Sequence, residues 1–191
     1  MERLGAYAAL LKKWNPTINL VSRDSLIDLW RRHFLDSAQL DTLIPGDRPL
    51  TLLDLGSGAG FPGLVLAILA RERQNPLTVH LVESDARKVA FLATVLRETG
   101  TSAQLHHGRI EQLTPFQADL VTTRALAPVA TLLEYAYRFL HNRSICLFPK
   151  GAGVEDELTA ATKHWKMAID RLPSRSGPTG IVLRLRNISR V

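Results

Sequence analysis

The 191-residue chain contains a single cysteine, Cys146. No internal disulfide can form and the spaced partners of a zinc site are missing, which excludes a disulfide-built scaffold and fits a reducing compartment. Cys146 lies in the apolar run Ile145-Cys146-Leu147 and reads as a core thiol. Aromatic residues make up only 6% of the chain. No stretch approaches the ~20 apolar residues that a membrane span needs. Residues 1–14 carry Glu2, Arg3, Lys12 and Lys13 where a secretory signal would run uninterrupted. Internal repeats and low-complexity tracts are lacking as well. These absences predict a cytoplasmic protein with no metal and no membrane partner.

The 46% apolar and 22% charged residues describe an ordinary globular chain, long enough for one domain with an appendage. The net charge of +6 is unevenly spread. Residues 1–50 hold seven Lys/Arg against six Asp/Glu, and residues 51–163 hold eleven against eleven. The last 28 residues hold six against one, through Lys166, Arg171, Arg175, Arg184, Arg186 and Arg190. A basic segment of this kind suggests an anionic partner, with solvated surface charge as the alternative.

Apolar residues at Leu4, Tyr7, Leu11 and Trp14 recur at helical spacing, and Asn15-Pro16 is expected to break that helix. A second helix is expected from Ser25 to Leu43, closed by a Pro45-Gly46-Asp47 turn. Residues 1–48 therefore read as a helical cap, and residues 49–191 as a Rossmann-like α/β domain forming one structural unit with it. In the second part, short apolar runs (Leu50–Leu55, Thr78–Glu83, Ala103–His106, Asp119–Thr123, Ser144–Pro149) alternate with helical stretches (Pro62–Arg73, Ala86–Glu98, Val129–Leu140, Val154–His164). That alternation implies a parallel sheet with crossover helices. Trp165–Leu172 and Ile181–Ile188 flank a Ser/Gly/Pro-rich loop, so a mostly parallel seven-stranded sheet ending in an antiparallel C-terminal hairpin is expected.

The segment Asp54-Leu55-Gly56-Ser57-Gly58-Ala59-Gly60-Phe61-Pro62-Gly63 follows a strand and opens a helix, the context in which a glycine motif carries information. Glycines there let a ligand approach the backbone closely. Gly58, Gly60 and Gly63 also satisfy the dinucleotide spacing, but a pyrophosphate wants a helix N-terminus free of competing negative charge. Asp54, two residues before Gly56, suits instead a sulfonium cofactor with an amino group, S-adenosylmethionine. Glu83 ends the next strand about 25 residues on, where such folds place a ribose-binding acid. Methyl transfer is an in-line attack that needs positioning more than an obligatory acid–base pair.

The acceptor is then constrained by exclusion. The fourth strand ends Asp119-Leu120-Val121-Thr122-Thr123-Arg124-Ala125, without the Asn/Asp-Pro-Pro-aromatic sequence of many exocyclic-amine methyltransferases. A pyrimidine carbon would need a cysteine nucleophile, and Cys146 lies mid-strand. A ring nitrogen such as guanine N7 needs no proton removed. Arg124 is a candidate to bind cofactor or the guanine edge, or to pair structurally with an acid. Lys150, after the fifth strand, is a candidate to meet phosphate, while His106 and His107 read as strand-end residues. Arg124 and Lys150 are the candidate catalytic positions in a mechanism based on positioning.

Lys13-Trp14-Asn15 with Asn19-Leu20, Arg32-His33 with Leu35-Asp36-Ser37, the loop Asp54–Gly63 and Arg124-Ala125 together resemble the bacterial 16S ribosomal RNA methyltransferase G family, also called glucose-inhibited division protein B. The resemblance spans nearly the whole chain. It implies methylation of guanine N7 in the 530 loop of 16S ribosomal RNA of the small ribosomal subunit. It also implies cofactor contacts from Gly56, Phe61, Ile110, Glu111 and Arg124, beside Asp54, Gly58, Gly60 and Glu83 from the motif itself. His33 and Asp36 belong to the cap, where helix packing is an equal reading. The expected state is a monomer. Rival readings are a methyltransferase acting on a small molecule, a module that binds cofactor without catalysis, and a nicotinamide oxidoreductase.

Overall fold

The computed structural model describes residues 1–46, 48–74 and 76–191. Its strands are β1 (Leu50–Leu55), β2 (Leu77–Glu83), β3 (Gln104–His107), β4 (Ala118–Thr122), β5 (Leu140–Lys150), β6 (Trp165–Pro173) and β7 (Ile181–Arg190). Among the described residues they form one seven-stranded sheet in the order β3-β2-β1-β4-β5-β7-β6. The first five strands are parallel, whereas β7 runs antiparallel to both β5 and β6. Strand order reverses beside β1, between β2 and β4, so the carboxyl ends of these strands border a crevice fit for a ligand.

Helices α1 (Glu2–Ile18), α2 (Arg23–Ile27) and α3 (Asp36–Ala38) form the cap, and α4 (Gly63–Glu72), α5 (Ala86–Thr99), α6 (Val129–Tyr137) and α7 (Val154–Ala161) follow strands of the sheet. The period-two alternation of a strand divides the core. Leu52 of β1 packs in one hydrophobic cluster with α1, α4 and α5, while its neighbour Leu53 packs in another with α6 and α7. Local capping marks the element ends. Asp85 accepts the N–H groups of Arg87 and Lys88 to start α5, and Gly100 ends that helix in the left-handed conformation.

Several expected boundaries move for identifiable reasons. The break expected at Asn15-Pro16 does not occur, because α1 continues to Ile18 with Pro16 inside it. Proline forfeits one backbone bond near the helix end, while Ile18 beyond it is buried with Leu4, Tyr7 and Leu11. The helix ends at Asn19, which takes a left-handed conformation and donates its N–H to the Asn15 carbonyl. The Asn15 side chain meanwhile bonds both the N–H and the carbonyl of Val21.

The single helix expected over Ser25–Leu43 is instead four pieces: α2, a π turn over Trp30–Leu35, α3 and a 3₁₀ turn over Gln39–Leu43. Asp28 leaves the helical region, and the turn that follows buries His33 and Phe34 while exposing Arg31 and Arg32. The expected Pro45-Gly46-Asp47 turn includes residue 47, which lies outside the described residues. Strand β5 begins at Leu140 rather than Ser144. The Ser144 hydroxyl donates to the Ala118 carbonyl at 2.6 Å and accepts the His141 N–H at 2.8 Å, and pairing with β4 jumps between Leu140 and Ile145. Helix α6 accordingly stops at Tyr137, α7 stops at Ala161, and β3 lies one residue later than expected.

The basic tail is not a free cationic surface. Arg171 pairs with Glu155, Arg184 and Arg186 with Asp170, and Arg190 with Glu134. The guanidinium of Arg190 also lies over the Trp165 ring, 4.9 Å from its centroid. Four of the six C-terminal cations thus lie in surface ion pairs with three acids, Glu155 and Glu134 outside the tail and Asp170 within it.

Because Leu11 is fully buried in the cluster that also holds Leu64 and Phe91, cap and sheet should unfold together. Leu11→Ala should cost about 2–5 kcal/mol, with a single urea transition seen alike by tryptophan fluorescence and circular dichroism. Two separated transitions would contradict this.

Candidate active site

Strand β1 delivers the chain into the glycine loop at the sheet's carboxyl edge. Gly60 has φ 95°, and a Cβ there would fall 2.6 Å from the Tyr7 hydroxyl, which itself donates to the Ala59 carbonyl. At Gly63 the reason is proximity, since a Cβ would fall 2.6 Å from Asp54 Cβ and 2.7 Å from a Leu81 methyl. Helix α4 therefore packs directly onto the strands that precede and flank it.

Glu83, at the end of β2, fixes the loop. Its Oε2 accepts the Gly58 N–H at 2.8 Å, and its Oε1 accepts the N–H groups of Ser84 and Asp85, each at 2.8 Å. The Ser57 N–H reaches the Val82 carbonyl at 2.8 Å, tying the loop to β2 a second time. Asp54 is fully buried beneath the loop. Its Oδ1 accepts from the Thr122 hydroxyl at 2.8 Å, and Oδ2 is buried without a partner. Burial raises its carboxyl to about 6, against the hydrogen bond from Thr122. A negative group packed under the first turn of α4 makes that helix start a poor pyrophosphate site.

Arg124, just beyond β4, joins the sheet to the cap. It donates from Nη1 to the Arg32 carbonyl at 2.9 Å and lies 3.4 Å from Asp36 Oδ2, while Nη2 meets His33 Nδ1 at 2.6 Å. Its guanidinium also sits over the Phe61 ring, 5.1 Å from the centroid. Phe61 is packed between Tyr7 and His33, with ring centroids 5.3 and 5.0 Å away. Burial, then Arg124 and Arg32, lower His33 to about 3, so the neutral ring accepts the Arg124 N–H at Nδ1. Its Nε2 is left buried without a partner. Burial also pulls the Arg124 pKa down, opposed by Asp36.

Two clefts meet at Arg124 and Ala125. The first, of about 440 Å³, is lined by Gly56, Gly58, Phe61, Glu83, Ile110, Glu111 and Arg124 among others. Seven of the nine expected cofactor positions are therefore brought together, while Asp54 and Gly60 lie behind the loop. The second cleft, of about 460 Å³, is lined by Arg31, Arg32, Asp36, Lys150 and the loop between β6 and β7. Lys150 is engaged rather than free: its Nζ lies 2.6 Å from Glu157 Oε2 and 3.1 Å from the Ala127 carbonyl. Cys146 is buried in β5 and lines neither cleft. Burial pushes its thiol pKa up, so it is no nucleophile. No metal-binding cluster is present among the described residues, and no helix among them is long and apolar enough to cross a membrane.

The family model described as rRNA small subunit methyltransferase G matches residues 1–174. The chain belongs to this family. A ribosomal RNA small subunit methyltransferase G from Rhodospirillum centenum is 55% identical over 99% of this chain and 85% of its own length. Another from Paramagnetospirillum magneticum is 53% identical over 100% of this chain and 90% of its own. In fold, the chain is similar to a class I S-adenosylmethionine-dependent methyltransferase from Listeria monocytogenes. The TM-score is 0.69 at 15% identity, covering 97% of this chain and 67% of that one.

Some site residues were not singled out by sequence reasoning. Leu20 and Val21 of the cap, Lys88, Arg109 and Leu126 all border the first cleft. The only sequence signal among these was Asn19-Leu20, quoted for its family likeness. Asp36, set aside as a packing residue, proves central to the second cleft. Its Oδ1 accepts from the Ser176 hydroxyl at 2.6 Å and from Gln39 Nε2 at 3.0 Å, while Oδ2 faces Arg124.

Two outcomes follow from this geometry. Glu83→Gln removes the charged acceptor of Gly58 and should weaken S-adenosylmethionine binding about tenfold or more by calorimetry. The pH dependence of stability should separate His33 from Asp54. His33 is depressed from 6.5 to about 3 on folding, so its contribution is whole above pH 6.5 and lost as pH falls toward 3. Asp54 is raised from 3.8 to about 6, so its burial penalty is full above pH 6 and relieved toward pH 4. Between pH 7 and pH 4, His33→Gln should therefore lose less stability than the unsubstituted protein, and Asp54→Asn more, in urea titrations.

Proposed function

We propose that this chain transfers the methyl group of S-adenosylmethionine to N7 of a guanine in the 530 loop of 16S ribosomal RNA, acting on the small ribosomal subunit as a cytoplasmic monomer. The observation that carries this reading is the meeting of two clefts at Arg124-Ala125, at the sheet's carboxyl edge, in a chain of this family.

The first cleft fits the cofactor in size, since small-molecule sites span roughly 300–1,000 Å³, and in chemistry. Backbone donors fill three of the roughly four acceptor sites of the Glu83 carboxylate, which leaves Oε2 able to take a ribose hydroxyl as well. Ile110 and the Glu111 backbone would flank adenine, and Phe61 would pack on the methionine portion. The unpartnered Asp54 Oδ2 lies beneath the loop as a negative end for a cationic ligand. When bound, the cofactor supplies an electrophilic methyl that moves in line to its acceptor.

The chain's own part is orientation. N7 carries a free lone pair, so no general base is required, and the neutral, already engaged His33 is consistent with that. Arg124 stands at the junction, held by the cap and lining both clefts, where it can hold the guanine edge or the methionine carboxylate. Lys150, paired with Glu157, would shape the acceptor wall rather than seize phosphate.

Labelled methyl transfer to small subunits from a strain lacking its own enzyme, followed by nucleoside identification, should give 7-methylguanosine. Arg124→Lys, which keeps the charge but loses the planar fork, should lower the transfer rate by about tenfold to a hundredfold at saturating cofactor. Cofactor binding without any label in the RNA would overturn the acceptor assignment.

A further inference from the structure

We infer that the Ile27–Arg32 segment of the cap is a docking element for unpaired RNA, in which Trp30 stacks on a nucleotide flanking the acceptor guanine and Arg32 meets the adjoining phosphate. This rests on the ribosomal RNA reading above and adds to it a second point of contact at the rim of the second cleft, with Trp30 lying outside both clefts.

Of the seven large hydrophobic side chains exposed among the described residues, three fall in residues 27–35: Ile27 at 88%, Trp30 at 45% and Leu35 at 40%. An indole left half in solvent is costly unless something covers it. The cations beside it select the partner. Arg31 and Arg32 line the second cleft, and the Arg32 side chain makes no ion pair or hydrogen bond among the described residues. Among the described residues Arg31 pairs with Asp28 alone, on the same surface turn, a contact readily exchanged for phosphate. Exposed Arg23 opens α2 just upstream. Positive charge and an exposed aromatic ring therefore stand together next to the acceptor cleft. That combination suits single-stranded nucleic acid, since every base offers a face to stack and every nucleotide a phosphate.

The platform is firmly backed. The Trp30 ring lies 4.6 Å from that of Phe34, which meets Phe61 edge-on at 5.3 Å and Tyr7 at 5.2 Å. Phe61 lines the first cleft. A base seated on Trp30 would thus press on a file of rings that ends at the cofactor.

The decisive experiment compares the intact chain with Trp30→Ala, Trp30→Phe and Arg32→Ala in methyl transfer to small subunits, with S-adenosylmethionine affinity measured alongside. Trp30→Ala should raise KM for the subunit about tenfold and leave cofactor affinity unchanged, and Trp30→Phe should restore most of the loss. Arg32→Ala should reduce the slope of log affinity against log salt by about one. A short single-stranded RNA should quench tryptophan fluorescence in the intact chain and far less in Trp30→Phe, because Trp165 is only 2% exposed and Trp14 is half-buried against Phe91, away from both clefts. Unchanged KM in Trp30→Ala with quenching retained overturns the inference, as does a dimer in sedimentation that Trp30→Ala converts to a monomer. If the intact chain methylates no RNA, the proposed function fails instead, a result distinct from either of these.

Discussion

A guanidinium drawn out of water must be met on every side or it will not stay, and Arg124 is met by groups from distant parts of the chain. The carbonyl of Arg32, the neutral ring of His33 and the carboxylate of Asp36 all come from the cap, whereas the ring of Phe61 comes from the glycine loop. Removing any one partner would leave a largely buried cation short of an acceptor, a cost of several kcal/mol in comparable sites. The cap is therefore part of the site and not a decoration upon it. Its packing through Leu4, Tyr7 and Leu11 sets how accurately Arg124 is held between the two clefts.

What could be read in the sequence was what is local. The run from Asp54 to Gly63 carries its meaning within ten residues, and Glu83 follows from its place at the next strand end, so the loop and the acid that holds it were legible, whereas Ile110 and Glu111 came only with the family likeness and Lys88, Arg109 and Leu126 came from neither. The alternation of strands and helices was legible for the same reason. The course of α1 through Pro16 was not, because proline is a local signal while the burial of Ile18 beyond it is decided by the sheet. The segmented chain between Ser22 and Leu43 escaped notice likewise: its apolar spacing fits one helix, and the break comes where Asp28 leaves the helical region.

The second cleft was legible only in pieces, through Arg124, Lys150 and the Arg32 and Asp36 of the family likeness. Asp36, Arg124, Lys150 and Ser176 lie far apart in the chain, and nothing in the spacing of any one announces the others. Charge counting within a window was incomplete in a similar way. Six cations against one acid over the tail suggested a basic surface, but Glu155 and Glu134 lie outside that window and fold back onto it. Net charge in a sequence window is a fair guide only where the window folds upon itself. The rival dinucleotide reading shared the same glycines and was separated by a carboxylate, Asp54, lying directly beneath the helix that would have held the pyrophosphate.

The loop between β6 and β7 is rich in Ser, Gly and Pro, a composition that would ordinarily make the tip of a hairpin its most restless part. Here Ser176 reaches Asp36, and Gln39 accepts the Arg175 N–H at 2.7 Å, so the tip is moored to the opposite end of the chain. The ordering entropy of that wall has been met during folding rather than at the moment of encounter. An incoming substrate finds a mould already cast, and its recognition turns on fit more than on persuading a loose strand to settle.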